Sequence, residues 1–283
     1  FVKATNLSDA ALMALTSEEL LAKVRAVFGL GHEILYYGPM SETEVKAALK
    51  DAHYVAEGAK MVPEQHPLQQ VTPSDRVVMA QYDAAQIYYI QYSDRGETFD
   101  AASAGDIALY NEYFGGGMNT IVFQEMREAR GLAYSAQAIL NEPSYKDDTY
   151  FFRAFIATQN DKMRQAIEAF DEIINDMPES EAAFSVAKEA LLSRLRTQRT
   201  TGMNVLRSYL ACRNLGLSEP ADRAVFEKAQ NATLADVTAT QQKWVKDRHY
   251  TFAILGDIKD LDTKFLATLG PVQVVSLDEI FGY

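Results

Sequence analysis

Tyr113-Phe114-Gly115-Gly116-Gly117-Met118-Asn119-Thr120-Ile121-Val122-Phe123-Gln124-Glu125-Met126-Arg127-Glu128-Ala129-Arg130-Gly131-Leu132-Ala133-Tyr134-Ser135 runs from the end of one predicted helix, through three glycines, into a second helix and out into a strand. Ile121, Val122, Phe123 and Met126 form the apolar face of that second helix, and Gly131 is the residue type that ends one. Arg127 then falls in the last helical turn and Tyr134 early in the strand, a layout that can hold the two near one another. A guanidinium donates in a fixed fork, and a phenol O–H can stabilise charge developing on a carbonyl oxygen, so the pair suits a peptide backbone or an oxyanion. Three and four positions from Arg127 stand Phe123, Gln124, Arg130 and Gly131, none of them acidic. Glu125 and Glu128 sit at spacings that do not face it on an α-helix. A surface arginine without any partner is the alternative. The glycines lack the Gly-Lys-Ser/Thr ending of a phosphate loop and join two helices, so they are expected to permit a sharp turn and to bring the second helix's amino end close to another backbone.

Outward from this stretch, Val77 to Tyr82 and Gln86 to Tyr92 read as strands joined by Asp83-Ala84-Ala85, most simply a hairpin. A helix is expected from about Ala101 to Phe114 and another from about Asn119 to Arg130. Strands follow at Leu132 to Leu140 and Thr149 to Thr158, then helices at Lys162 to Met177, Glu181 to Thr200, Val205 to Arg213 and Asp222 to Ala229. Strand pairs grouped apart from long helices predict an α+β domain, an antiparallel-rich sheet with helices packed on one face.

The two ends of the chain share a pattern. Near the start, Thr16 and Glu19 have capping-box spacing before an apolar helix, Glu33 to Tyr37 reads as a strand closed by Gly38-Pro39, and Ser41 with Glu44 caps a further helix. Near the end, Thr233 opens a helix through Trp244, Thr251 to Asp257 reads as a strand with Gly256, and Leu261, Phe265 and Leu266 mark another helix. Helix, strand, glycine turn, helix recurs over nearly equal spans, which suggests duplicated domains; chance recurrence of a common unit is the alternative. On the first reading residues 1–55 are the tail of a preceding homologous domain, 56–74, with Pro63, Pro67 and Pro73, are a linker, and 75–283 are a complete domain. The opening Phe1-Val2-Lys3 lacks both an initiator Met and a signal-peptide layout, as expected of a chain that begins inside a longer parent.

A net charge of -12 and the absence of any Lys/Arg cluster exclude a phosphate-binding surface for nucleic acid. No apolar run approaches the ~20 residues of a membrane span. The four histidines, His32, His53, His66 and His249, form neither H-E-x-x-H nor H-x-x-E-H, so no self-contained metal centre is expected. There is no G-x-S-x-G elbow, and Cys212, among Tyr209, Leu210, Leu215 and Leu217, reads as a small core residue.

The glycine run, the Phe-Gln-Glu-Met-Arg-Glu-x-Arg-Gly-Leu-Ala-Tyr-Ser sequence and the Arg-to-Tyr spacing resemble the carboxy-terminal half of the inverzincin zinc metallopeptidases, the pitrilysin, insulinase and processing-peptidase family. The paired strands before the stretch, the helices after it and the final strand extend the likeness over most of Val71 to Tyr283. The resemblance implies a domain of the metalloenzyme LuxS/processing-peptidase type. It implies that zinc is carried by an amino-terminal half, in the same polypeptide or a partner chain, and that this half closes over peptide substrates in an internal chamber. Arg127 and Tyr134 match the family's substrate-contacting pair, Tyr134 for the oxyanion and Arg127 for the backbone or for orienting Tyr134, with Arg130 the weaker match and structural. It further implies a bacterial protein of the periplasm or the cytoplasm, the periplasm being preferred. The zinc-bearing half is absent from this sequence, so the chain alone is expected to be inactive. A catalytically inactive scaffold or peptide-binding subunit of the same family is the rival expectation.

Overall fold

β1 (Arg76–Gln81), β2 (Gln86–Thr98), β3 (Ser135–Asn141), β4 (Thr149–Gln159), β5 (Thr251–Gly256) and β6 (Val272–Val275) form one sheet of order β3-β4-β2-β5-β1-β6 in the computed structural model, which describes residues 7–53, 58–60 and 71–281. The pairs β3/β4, β4/β2 and β2/β5 are antiparallel, while β5/β1 and β1/β6 are parallel. Strand residues alternate over most of the sheet, with consecutive buried residues at Met79-Ala80, Ser93-Asp94 and Ile156 to Thr158. Ile87, Tyr89, Ala136, Ala138, Leu140, Phe152, Ala154, Ile156, Phe252 and Ile254 are buried in the core, and their neighbours Tyr88, Ile90, Ile139, Phe151 and Phe155 on the other face are only half-buried. A period of two with one face covered is what helices stacked on a single side produce.

The helices, in chain order, are α1 (Asp9–Ala14), α2 (Ser17–Val27), α3 (Glu42–Ala52), α4 (Ala104–Phe114), α5 (Met163–Asn175), α6 (Glu181–Thr197), α7 (Met203–Leu215), α8 (Asp222–Asn231), α9 (Leu234–Trp244), α10 (Thr263–Leu269) and α11 (Leu277–Phe281). α4 is buried nearly all round, through Ile107, Leu109, Tyr110, Tyr113 and Phe114, which makes it the central rod of the helical layer. Its two tyrosine hydroxyls keep their polar ends satisfied there: Tyr110 donates to Gln241 of α9 at 2.5 Å and Tyr113 to the Pro178 carbonyl at 2.7 Å. α5 lays Met163, Ala166, Ile167, Phe170, Ile173 and Ile174 into the core. This is the expected α+β architecture.

The hairpin expected of β1 and β2 does not form, because β5 lies between them. Leu255 pairs with Ala80 on one side and with Tyr88 on the other. Thr251–Gly256 presents apolar residues to a central position, and a partner so remote in sequence leaves no local trace at the short Asp83-Ala84-Ala85 turn.

The described residues fall into two compact units. One holds those of Phe1–Pro67, Thr200–Leu210 and Asp278–Tyr283, the other those of Leu68–Arg199 and Ala211–Leu277. In the first, both capping boxes exist: Glu19 N–H donates to Thr16 Oγ1 at 3.2 Å and Glu44 N–H to Ser41 Oγ at 3.3 Å, each answered by the glutamate accepting from the cap's own N–H. The strand expected at Glu33 to Tyr37 is absent, since no neighbouring strand offers it a ladder among the described residues; only the isolated bridge Leu30↔Lys60 lies near it.

Candidate functional site

The expected second helix of the quoted stretch is one α-turn, Ile121–Phe123, running into a π-helix, Gln124–Ala129. The wider turn is visible in the backbone, where Arg130 N–H donates to Glu125 O five residues back at 3.1 Å and Leu132 N–H to Met126 O at 2.9 Å. Ile121, Val122 and Met126 are buried and hold this segment on the sheet. Gly131 then takes φ +58, a left-handed conformation that reverses the chain into Leu132. Tyr134 N–H donates to Ala157 O at 3.1 Å, so the residue is fixed to β4 one step before β3 begins.

The glycine run supports this turn from the other side. A Cβ on Gly115 would meet the Ala138 backbone, its nitrogen at 2.7 Å and its carbonyl oxygen closer still, and Ala138 N–H donates to Gly115 O at 3.2 Å. The close approach is therefore made by the end of α4 rather than by the start of the second helix, as the sequence suggested, and it seats α4 against β3.

Arg127 and Tyr134 meet. The guanidinium carbon lies 5.3 Å from the Tyr134 ring centroid and 5.0 Å from that of Phe123, so it is held between two aromatic faces. The Tyr134 side is open: the residue is 74% exposed, which leaves its hydroxyl accessible. Phe123 is half-buried with the Arg127 guanidinium over its ring, and its position four residues before an arginine on a helix was the one sequence signal for this stack. Arg127 Nε also lies 3.6 Å from Glu128 Oε1. The α-helical spacing argument excluded that pairing, and the π-turn, which changes the angle between successive side chains, overturns it.

Arg130 has a different environment. Its fork is occupied by Glu172 at 2.9 and 3.3 Å and its Nε by Glu125 at 3.4 Å, tying the π-turn to α5. The hydrogen bond it donates to Glu172 is the main cause that holds its pKa above the ordinary arginine value. Three of its five N–H donors are committed to these two carboxylates.

Arg127 and Tyr134 open onto a cleft of about 300 Å³, lined also by Gln86, Gly131 to Ala133, Ala157 to Gln159 and Lys162. Two bonds brace its wall: Thr158 Oγ1 donates to Leu132 O at 2.5 Å, and Lys162 Nζ to Gly131 O at 3.3 Å. Gln86, Gln159 and Lys162 carried no pattern in the sequence. They converge only because Gln86 and Gln159 are register partners across β2 and β4 and Lys162 immediately precedes α5.

No three His, Cys, Asp or Glu side chains come together to hold a metal ion among the described residues, so zinc does not fit the groups described. His32 Nδ1 bonds Leu30 O at 3.0 Å and its Nε2 meets that of His53 at 2.7 Å, His249 pairs with Asp75 at 3.1 Å, and His66 lies outside the described residues. Cys212 is half-buried. No described helix is long and apolar enough to cross a membrane.

A family model described as the peptidase M16 inactive domain matches residues 32–191, more than half of the chain. The chain belongs to the peptidase M16 inactive-domain family. Solved structures share this M16 fold at low identity. A peptidase M16 inactive domain from Pseudomonas fluorescens is 15% identical with a TM-score of 0.60, covering 88% of this chain and 59% of its own. A protease from Helicobacter pylori is 12% identical at TM-score 0.61, with coverages of 87% and 60%. The ferredoxin protease FusC, as a variant in complex with Arabidopsis ferredoxin, is 13% identical at 0.64, with coverages of 89% and 28%. The M16 chain described here thus spans about three-fifths of the first two and less of the third. No curated protein matches it.

Proposed function

We propose that this M16 domain is the zinc-free, carboxy-terminal half of a zinc metallo-endopeptidase, and that Arg127 and Tyr134 contact the peptide from the wall opposite the metal. The observation that carries this reading is the pair itself: a guanidinium clamped between Phe123 and Tyr134 beside an exposed phenol, both opening onto one cleft. Stacking fixes Arg127 and Tyr134 relative to each other before any ligand arrives, which reduces the ordering cost on binding. The Tyr134 O–H then donates to the oxygen of a peptide carbonyl as it gains negative charge, while Arg127 donates to the neighbouring backbone or keeps the ring in place. Metal chemistry belongs to the amino-terminal half that the resemblance implies, in the same polypeptide or a partner chain. Residues 7–53 fit the tail of that half, for none of their described side chains is buried and Leu20, Leu21, Val24, Val27 and Phe28 are exposed.

A second reading, an inactive scaffold or peptide-binding subunit, is favoured by the word inactive in the family's description. One assay separates the two. Hydrolysis of short unfolded peptides is measured with this chain alone, with the zinc-bearing half alone and with both. Activity in the combination only is the expected result. A chain that cleaves by itself, or a zinc-bearing half that works equally well without it, would overturn the proposal.

A further inference from the structure

The cleft beside Tyr134 has a charge that the molecule as a whole does not. The chain carries a net -12, yet the cleft is lined by two cations, Arg127 and Lys162, by the carboxamides of Gln86 and Gln159, and by no carboxylate. Lys162 is half-buried and its ammonium is held 3.3 Å from Gly131 O, on the very loop that joins Arg127 to Tyr134. That bond uses one of its three N–H donors. It has no carboxylate partner among the described residues, whereas Arg130 nearby is paired with both Glu172 and Glu125. Glu128 is the acid nearest the cleft's cations, and its closest approach to Arg127 is 3.6 Å, at Nε, which is longer than a hydrogen bond. A cation left unpaired at a concave surface, beside a second one and two adaptable amides, is the donor set that takes a carboxylate.

We infer that this cleft binds a carboxylate of the peptide, with Lys162 as the residue that sets the preference. The inference rests on the reading that peptide enters beside Arg127 and Tyr134, and adds to it the kind of peptide. The carboxylate belongs either to an acidic side chain or to a free carboxy terminus, both offering two oxygens to Lys162 and Arg127. Long-range repulsion from the acidic surface opposes either form, so the preference is a short-range one that persists at physiological salt.

The test is the affinity of this chain for four labelled peptides of one sequence, with Glu or Gln at a single position and a free or amidated terminus. One carboxylate form binds about fivefold tighter than its neutral counterpart, the scale of a partly exposed ion pair, and the arm that shows it identifies the source. Lys162→Gln collapses that ratio towards one, Lys162→Arg restores it, and Lys264→Gln, a surface change on α10, leaves it as it was. All three variants are checked for an unaltered melting transition. If the peptides bind without discrimination, or discrimination survives Lys162→Gln, the carboxylate assignment is overturned while peptide binding at Arg127 and Tyr134 stands. If none binds, both are overturned.

Discussion

Residues 16–52 and 233–269 begin alike and end differently. Each opens with a threonine capping box, Thr16 with Glu19 and Thr233 with Asp236, followed by an eleven-residue helix. α9 buries Leu234, Val237, Thr240, Gln241 and Trp244, while α2 buries nothing. After α9 comes β5, paired on both edges with Phe252 and Ile254 buried; after α2 comes an apolar run with no strand partner among the described residues. Capping is a contract between residues three apart and forms wherever the letters permit. Burial and strand formation require a second surface. A helix of this length is marginal in water by itself, so its stability has to come from packing, which the chain supplies at one end and not at the other.

The difference can be broken by mutation. The largest expected effect is Trp244→Ala, which removes a buried ring and costs ~3–5 kcal/mol in chemical denaturation followed by circular dichroism. Phe28→Ala, at the matching end of α2, shifts the same transition by less than ~0.5 kcal/mol. Equal costs would mean that α2 packs as α9 does. Next come the glycines at matching places in the two segments, Gly256 and Gly38. A Cβ on Gly256 would press on Ile87 Cγ2 at 2.9 Å, so Gly256→Ala costs ~1–3 kcal/mol by overpacking; on Gly38 it meets only the tip of the exposed Tyr36 ring, which can swing aside, and Gly38→Ala is near neutral.

A smaller effect separates the caps. Thr233→Ala lowers domain stability by ~1 kcal/mol, and Thr16→Ala leaves the domain's midpoint unmoved. The same cap gives a pH signature. The Thr233 backbone N–H, then its hydroxyl, with Lys228 assisting, hold the Asp236 carboxyl at about 2, below the ordinary aspartate value. A depressed folded pKa means that the contribution is complete above the unfolded value of ~3.9 and is lost as pH falls through about 2. Asp236→Asn therefore destabilises at neutral pH, and its deficit against the parent shrinks across that acid window. A deficit independent of pH would show that the charge contributes nothing.

Legibility follows the same division. Both tail capping boxes, the long helices and most strands were readable, because their patterns lie within a dozen residues. The apposition of β1 and β5 was not, and neither was β6: Val272-Gln273-Val274-Val275 is too short to stand out before its parallel neighbour is known. At the site, Arg127 and Tyr134 came from the resemblance and from their spacing around Gly131. The π-turn that lets Arg127 touch Glu128 violates the α-helical periodicity by which the stretch was read. Lys162 was invisible for a further reason: its role depends on a bond to Gly131 O, and a backbone carbonyl has no letter of its own.

The account stands or falls on the phenol of Tyr134. In the two-half peptidase proposed above, Tyr134→Phe keeps the ring that Arg127 stacks upon and deletes only the O–H. Turnover of a quenched peptide should fall ~10-fold or more with KM little changed, the pattern of a donor that acts on developing charge. Turnover within about twofold of the parent would leave the hydroxyl without a role in the reaction and contradict the assignment.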